Sequence, residues 1–188
     1  MKTHPNLLDS NNSVLVVIDL QTKLSSVMSP EMASVTTTNT IRLIDAANKL
    51  DIPMLVTEQY PQGLGATEER ISNSFSLSTP IFDKTGFSCC ASEDFCYALQ
   101  TSERKQIILV GQETHVCVLQ TALELLQRGH QVFVVADAVS SRNPEHKNNA
   151  LQRMQQQGVT VTNYESVLFE WLRNASHPQF KAISALLR

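Results

Sequence analysis

The 188-residue sequence carries no excess of basic residues: 15 Lys and Arg stand against 18 Asp and Glu, for a net charge of -3. Duplex or phosphate-rich partners demand a basic footprint, so nucleic acid binding is excluded as an expectation. Long hydrophobic runs are missing too. Stretches such as Val14 to Ile18 and Ile107 to Val110 fall far below the roughly 18 residues that span a bilayer, which excludes membrane insertion. Met1 to Ser13 is polar, with His4, Pro5, Asn6, Asn11 and Asn12. It lacks the apolar centre of a signal peptide, so a cytoplasmic protein is expected. The four cysteines, at 89, 90, 96 and 117, form no Cys-x-x-Cys pair. That spacing supports neither zinc nor a disulfide framework, and reduced thiols are expected. Cys89, Cys90 and Cys96 are read as packing residues, because adjacent cysteines strain a disulfide and helical cysteines are commonly buried.

What is present is the pattern of one α/β domain over 1–188, with 42% hydrophobic residues, enough for one substantial core. Val14 to Ile18 is a β-branched run that reads as a buried parallel strand. Thr36 to Leu50 shows one apolar helical face, broken by Asp51-Ile-Pro. Met54 to Thr57 reads as strand two. Pro61, Gly63 and Gly65 make Glu58 to Gly65 an irregular loop facing a ligand. Pro80 to Asp83 is a short third strand and Ser92 to Gln100 a helix. Gln106 to Val110 is strand four, followed by a helix from His115 to Arg128 that stops at Gly129. Gln131 to Ala136, a helix from Pro144 to Gln157, Val159 to Thr162 and a helix from Tyr164 to Arg173 complete the alternation. A last helix begins near Ser176. Short connections between alternating elements predict a three-layer α/β/α, Rossmann-like fold around a mostly parallel six-stranded sheet.

Sites in such sheets form at the carboxyl ends of the strands. Asp19, Lys84 and the segment Gly111 to Cys117 should therefore converge on one rim. Cys117 would sit in the first turn of a helix capped by Thr114, where free amides and the helix dipole favour a thiolate. Position alone does not overturn the alternative that it packs as a small hydrophobe among Val116, Val118 and Leu119. Asp19 ends a buried apolar strand, where a carboxylate is costly unless partnered; a loop-capping role is the alternative. Lys84 would bring a cation to the same rim, pair with Asp19 and favour the thiolate, although most lysines are solvated surface charges.

The segments VVIDLQ at 16–21, FDKTGFS at 82–88 and GQETHVCVLQTALELLQRGHQVFVVADAVSSR at 111–142 resemble the isochorismatase-like cysteine hydrolases. TEQYPQGLG at 57–65 is similar to the isochorismatase domain-containing branch of that family. The resemblance runs from about Val14 to Ser166. It implies a triad of Asp19 as general base, Lys84 as the charge-stabilising residue and Cys117 as nucleophile. It also implies a non-proline cis peptide at Gln112-Glu113, and an oxyanion hole from the backbone amides of Glu113 and Cys117. A dimer or tetramer of identical chains is implied as well.

Members that hydrolyse the isochorismate vinyl ether are expected to lack the nucleophilic cysteine, so that reaction is disfavoured. The nicotinamidase branch builds a metal site on an Asp-x-His pair after strand two, whereas this chain has Glu58-Gln59-Tyr60. Neither a catalytic metal nor a cofactor is expected. A phosphotransfer enzyme of haloacid dehalogenase type would need a second Asp where Gln21 stands. A phosphate-binding loop would need glycine in Leu20-Gln21-Thr22-Lys23. Gln21, Tyr60, Phe87 and His115 are the candidates for contact with a small-molecule substrate. The expected activity is cysteine-dependent hydrolysis of an amide-like carbonyl compound through a thioester. A silent oligomeric interaction protein on the same scaffold is the competing reading, since fold does not guarantee activity.

Overall fold

The protein is described by a computed structural model covering residues 4–187. Six strands form one sheet: β1 Ser13–Ile18, β2 Met54–Gln59, β3 Ile81–Lys84, β4 Gln106–Gln112, β5 Gln131–Ser140 and β6 Thr160–Thr162. Their order is β3-β2-β1-β4-β5-β6, and every neighbouring pair is parallel. The sheet is thus wholly rather than mostly parallel. The Ser-Val-Leu-Val-Val-Ile sequence of β1 is buried at all six positions, as a central strand covered on both faces requires.

Alternation along the strands divides the core in two. Leu15, Val17, Val56, Ile108, Val110, Phe133 and Val135 face one side. There they meet α2 (Pro30–Lys49) and α8 (Tyr164–Leu172) through Leu43, Ile44, Val167, Leu168 and Trp171. Val14, Val16, Ile18, Ile107, Leu109, Val132 and Val134 face the other, against α5 (Glu93–Thr101), α6 (Leu119–Gln127) and α7 (Pro144–Gln156) through Phe95, Leu99, Leu125 and Met154. Each such side chain contributes about 1.5–3 kcal/mol by leaving water. Among the described residues, no helix is long and apolar enough to cross a membrane.

Several boundaries differ from those expected. Helix α2 begins at Pro30 rather than Thr36, because Ser29 caps it by accepting from Met32 N and Pro30 fills the first turn. The Glu58 to Gly65 stretch is not irregular throughout. Strand β2 runs on to Gln59, and Pro61–Leu64 closes one turn, α3, after α1 (Thr22–Ser25). Tyr60 absorbs the bend between them with φ 38°. Helix α4 (Glu69–Ser72) follows, and the last helix, α9, spans Phe180–Ser184 rather than starting near Ser176.

The segment after β4 departs most. Thr114–Val118 forms a π-helical turn before α6, because Glu113 O accepts from both Val116 N (3.0 Å) and Val118 N (3.3 Å). Thr114 is not the cap: its hydroxyl is buried and unpartnered among the described residues, and Glu113 holds the cap position. Single π-turns occur often where side chains must be re-aimed at a site.

Candidate active site

The site is built where β1 to β4 end. At the top of β1 and β4, Ile18 pairs with Gly111, whose φ is +120°; a Cβ there would stand 2.0 Å from Ile18 O. Only glycine permits that approach. Asp19 then leaves the strand with φ 50°, a left-handed conformation that Asp tolerates better than most side chains. Gln112 Nε2 donates to Asp19 O (3.2 Å) and to Ser25 Oγ (2.9 Å), tying this turn to the end of β4. The peptide that follows, Gln112-Glu113, is cis.

The Asp19 side chain turns into the protein and has no solvent exposure. Lys84 Nζ donates to its Oδ2 at 2.7 Å, both side chains being fully buried, and Thr57 Oγ1 donates to its Oδ1 at 2.8 Å. The ammonium also donates to Gln59 Oε1 at 2.6 Å and to Phe87 O at 2.9 Å, with Gly86 O farther away at 3.4 Å. Three hydrogens therefore meet three close acceptors, leaving none for a fourth partner. Cys117, 5% exposed, directs its thiol to Gln59 Oε1 at 3.9 Å.

Burial pushes the Asp19 carboxyl above the usual carboxylate range, against the pull of the Lys84 charge, of hydrogen bonds from Lys84 and Thr57, and of the neighbouring Cys117 thiol. The Cys117 thiol is likewise pushed up, first by burial and then by the Asp19 charge, with Lys84 pulling it down. This corrects the expectation of a thiolate stabilised at a helix start. Cys117 lies in a buried π-turn beside a carboxylate, a setting that favours the protonated thiol.

Of the other candidates, Gln21 is buried and its amide is committed to backbone. Gln59 N donates to its Oε1 (2.8 Å), and its Nε2 donates to Gln59 O (3.0 Å) and Gly65 O (2.5 Å). It holds β2 and the following loop in place. Tyr60 and Phe87 are each 53% exposed, and Tyr60 lines a shallow depression of about 250 Å³ with Asp83, Lys84 and Thr85. His115 Nδ1 lies 3.0 Å from Ser141 Oγ, and its ring stands 5.0 Å from that of His146. Burial holds it below the usual imidazole range, with Glu113 opposing and His146 and Arg142 adding. The Glu113 carboxylate accepts from Arg142 N at 3.0 Å.

Thr57, Gln59 and Cys89 were not among the candidates. Thr57 and Gln59 sit two apart on one face of β2, and that period-two placement of polar residues in a buried strand was the available signal. The Pro and Gly residues just beyond concealed it by suggesting an earlier strand end. Cys89, in the 3₁₀ turn Cys89–Ala91, lies 3.6 Å from Thr57 Oγ1 and is held at about 12, chiefly by burial. Glu58, on the opposite face, accepts from Thr67 N (2.6 Å) and Thr67 Oγ1 (2.7 Å), so its carboxylate anchors the Thr67 loop.

Comparison with known proteins places the chain in a family. Residues 13–166 match the isochorismatase domain model. Isochorismatase domain-containing protein 2 of Xenopus laevis is 38% identical over 96% of this chain and 85% of its own. Among solved structures, the MAR1 ribonuclease of Caenorhabditis elegans superposes with a TM-score of 0.91 at 42% identity, covering 96% of this chain and 92% of that one. Two bacterial YcaC proteins each give a TM-score of 0.90 over 99% of this chain. One, from Pseudomonas aeruginosa, was solved with hexane-2,5-diol and covalent acrylamide, at 28% identity and 92% of that chain. The other, from Escherichia coli, is described as an octameric hydrolase of unknown specificity, at 26% identity and 91% of that chain. With a matching domain model over most of its length and relatives of this identity and coverage, the chain belongs to the isochorismatase-like hydrolase family.

Proposed function

We propose that the protein hydrolyses a small amide-like carbonyl compound, with Cys117 as nucleophile, Asp19 as general base and acid, and Lys84 as the fixed charge that holds Asp19. The observation that carries this reading is the fully buried Lys84–Asp19 ion pair at 2.7 Å beside the buried Cys117 thiol. Desolvating two charges costs several kcal/mol per ion before their attraction repays it, so stability is a poor reason for placing them there. A nucleophile with a positioned base, which is in turn oriented by a third group, is the arrangement covalent catalysis requires.

In the proposed reaction, Asp19 takes the thiol proton as Cys117 Sγ bonds to the substrate carbonyl carbon and the carbonyl electrons move to oxygen. The backbone amides of Glu113 and Cys117 are the proposed donors to that oxyanion, each supplying on the order of 3 kcal/mol. As the intermediate collapses, the C–N bond breaks and Asp19 returns the proton to the departing nitrogen. Lys84 cannot supply it, since its three hydrogens are engaged. Water, deprotonated by Asp19, then attacks the thioester, and the released sulfur recovers the proton. The covalent acrylamide of the Pseudomonas YcaC structure supports the reading in chemical terms, because acrylamide is an acceptor for thiolates. The octameric description of the E. coli relative favours a homo-oligomer here too.

The test is the rate of Cys117 alkylation by iodoacetamide across pH 6 to 10, mapped by mass spectrometry, followed by a screen of small amides, imides, esters and RNA. Asp19→Asn should change the pH profile of alkylation, and ammonia or amine release should vanish in Cys117→Ala. Equal alkylation of Cys117 with and without Asp19, and no amide turned over, would replace the enzyme by the scaffold reading. Turnover of RNA alone would assign the site a different reaction.

A further inference from the structure

Gln59, like Asp19, touches both the charge-stabilising lysine and the nucleophile. Its Oε1 accepts from Lys84 Nζ at 2.6 Å and from Cys117 Sγ at 3.9 Å. Its Nε2 donates to Thr85 O at 2.8 Å. The orientation of this amide is dictated by its neighbours: an ammonium can only donate and a backbone carbonyl only accept, so the oxygen must face Lys84 and the nitrogen Thr85. Its backbone is equally fixed, because the Gln21 amide grips both Gln59 N and Gln59 O. The side chain is thereby immobilised at every polar atom and is 8% exposed.

We infer that Gln59 is a positioning residue of the Cys117 reaction, holding the Lys84 ammonium in place and receiving the thiol in the resting enzyme. Resting on the nucleophilic reading of Cys117, this adds a fourth side chain to the centre. Removing the Gln59 carbonyl deprives the ammonium of one of its three close acceptors and frees it to turn away from Asp19. The groups whose charge acts on the Cys117 thiol are Asp19, Lys84 and Cys89. Of these, only Lys84 favours the thiolate, so anything that loosens or neutralises Lys84 moves the thiol toward its protonated form. Gln59 also explains how Gln21, though far from presenting a polar atom to substrate, contributes to the site: it anchors the strand end that carries Gln59.

The experiment compares the pH profile of Cys117 alkylation by iodoacetamide in the full-length wild type, Gln59→Met and Gln59→Glu, with Asp19→Asn as reference and thermal unfolding as the folding check. Met keeps length but has no carbonyl, whereas Glu keeps the acceptor and adds an anion beside both Lys84 and the sulfur. The midpoint should rise by up to about one unit in Gln59→Met. It should rise further in Gln59→Glu, making alkylation at pH 7 more than about tenfold slower there. A residue that merely fills space would lower stability or rate without displacing the midpoint, and would not rank Glu beyond Met. Wild-type midpoints in both folded variants, or a larger displacement in Met than in Glu, would overturn the inference while leaving the Asp19 dependence intact. Equal pH profiles in the wild type and Asp19→Asn would instead overturn the nucleophilic reading itself. Should Gln59→Met fail to fold, the isosteric Gln59→Glu carries the test alone: an unmoved midpoint refutes the role.

Discussion

The protein holds two thiol neighbourhoods on the same side of the sheet. Around Cys90 and Cys96 the sulfurs are half-buried, and the Arg128 guanidinium donates to Cys96 Sγ at 3.2 Å on the surface. Around Cys117 the sulfur is buried beside a carboxylate that is itself locked to a buried ammonium. The first environment offers access and a guanidinium at the sulfur, the second a carboxylate beside a sulfur of restricted access. Reactivity toward any passing electrophile follows from exposure. Selective acyl chemistry needs a proton acceptor within reach of the sulfur. Cysteine identity alone distinguishes neither.

The sharpest way to break this contrast is to remove the sulfurs one at a time. Cys117→Ala should lower turnover of whichever amide the screen identifies by on the order of 10⁴-fold or more, as for nucleophiles that act as part of a unit. Cys90→Ala and Cys96→Ala should stay within about twofold of wild type in the same steady-state assay. Turnover that survives in Cys117→Ala would erase the distinction.

Next in size is the response to removing a cation. Lys84→Met leaves the Asp19 carboxylate buried without its partner, and should cost about 3–5 kcal/mol in urea denaturation at neutral pH. Arg128→Met, at the surface thiol, should fall within about 0.5 kcal/mol. Similar losses for both would mean that the buried pair is no more strained for partners than the exposed one.

The smallest effect is a pH slope. Cys89 is held at about 12 by burial, with the Asp19 charge adding, above the value of about 8.5 expected in the unfolded chain. Above that lower value the unfolded chain gives up the proton and the folded one keeps it. The Cys89 contribution is therefore complete below about pH 8.5 and drains away as pH rises toward about 12, at up to about 1.4 kcal/mol per pH unit. Cys89→Ala should flatten the alkaline fall in stability by that amount. Cys90, pushed up to about 11 by burial and by its neighbour Cys96, should give a shorter window ending one unit earlier. Chemical denaturation at pH 8, 9 and 10 measures the slopes; an unchanged slope in Cys89→Ala would place that thiol in contact with solvent.

Much of this molecule was legible before its structure. The strands at 14–18, 106–110 and 131–136 were readable because uninterrupted β-branched runs have few alternatives in an α/β chain. The convergence of Asp19, Lys84 and the Cys117 segment followed from the rule that parallel strands end on one rim. The start of α2 was missed because Pro30 to Val35 buries no side chain and so adds little to the apolar face; its signal lay in Ser29 and Pro30. The setting of Cys117 was misjudged for a related reason. Nothing in Thr-His-Val-Cys-Val announces a π-turn, which exists because Glu113 O is shared by two amides.

By itself, then, the sequence determined the alternation of elements, the sheet they form and the three residue types gathered at its rim. Each of these follows from local periodicity and from the handedness of parallel crossovers. Only the tertiary structure decided that Lys84 has all three hydrogens engaged, that Gln59 bridges it to Cys117 and that Gln21 holds backbone. Hydrogen-bond commitments of buried side chains depend on the angstrom-scale positions of groups 25 to 65 residues apart, and no pattern within one segment encodes those distances.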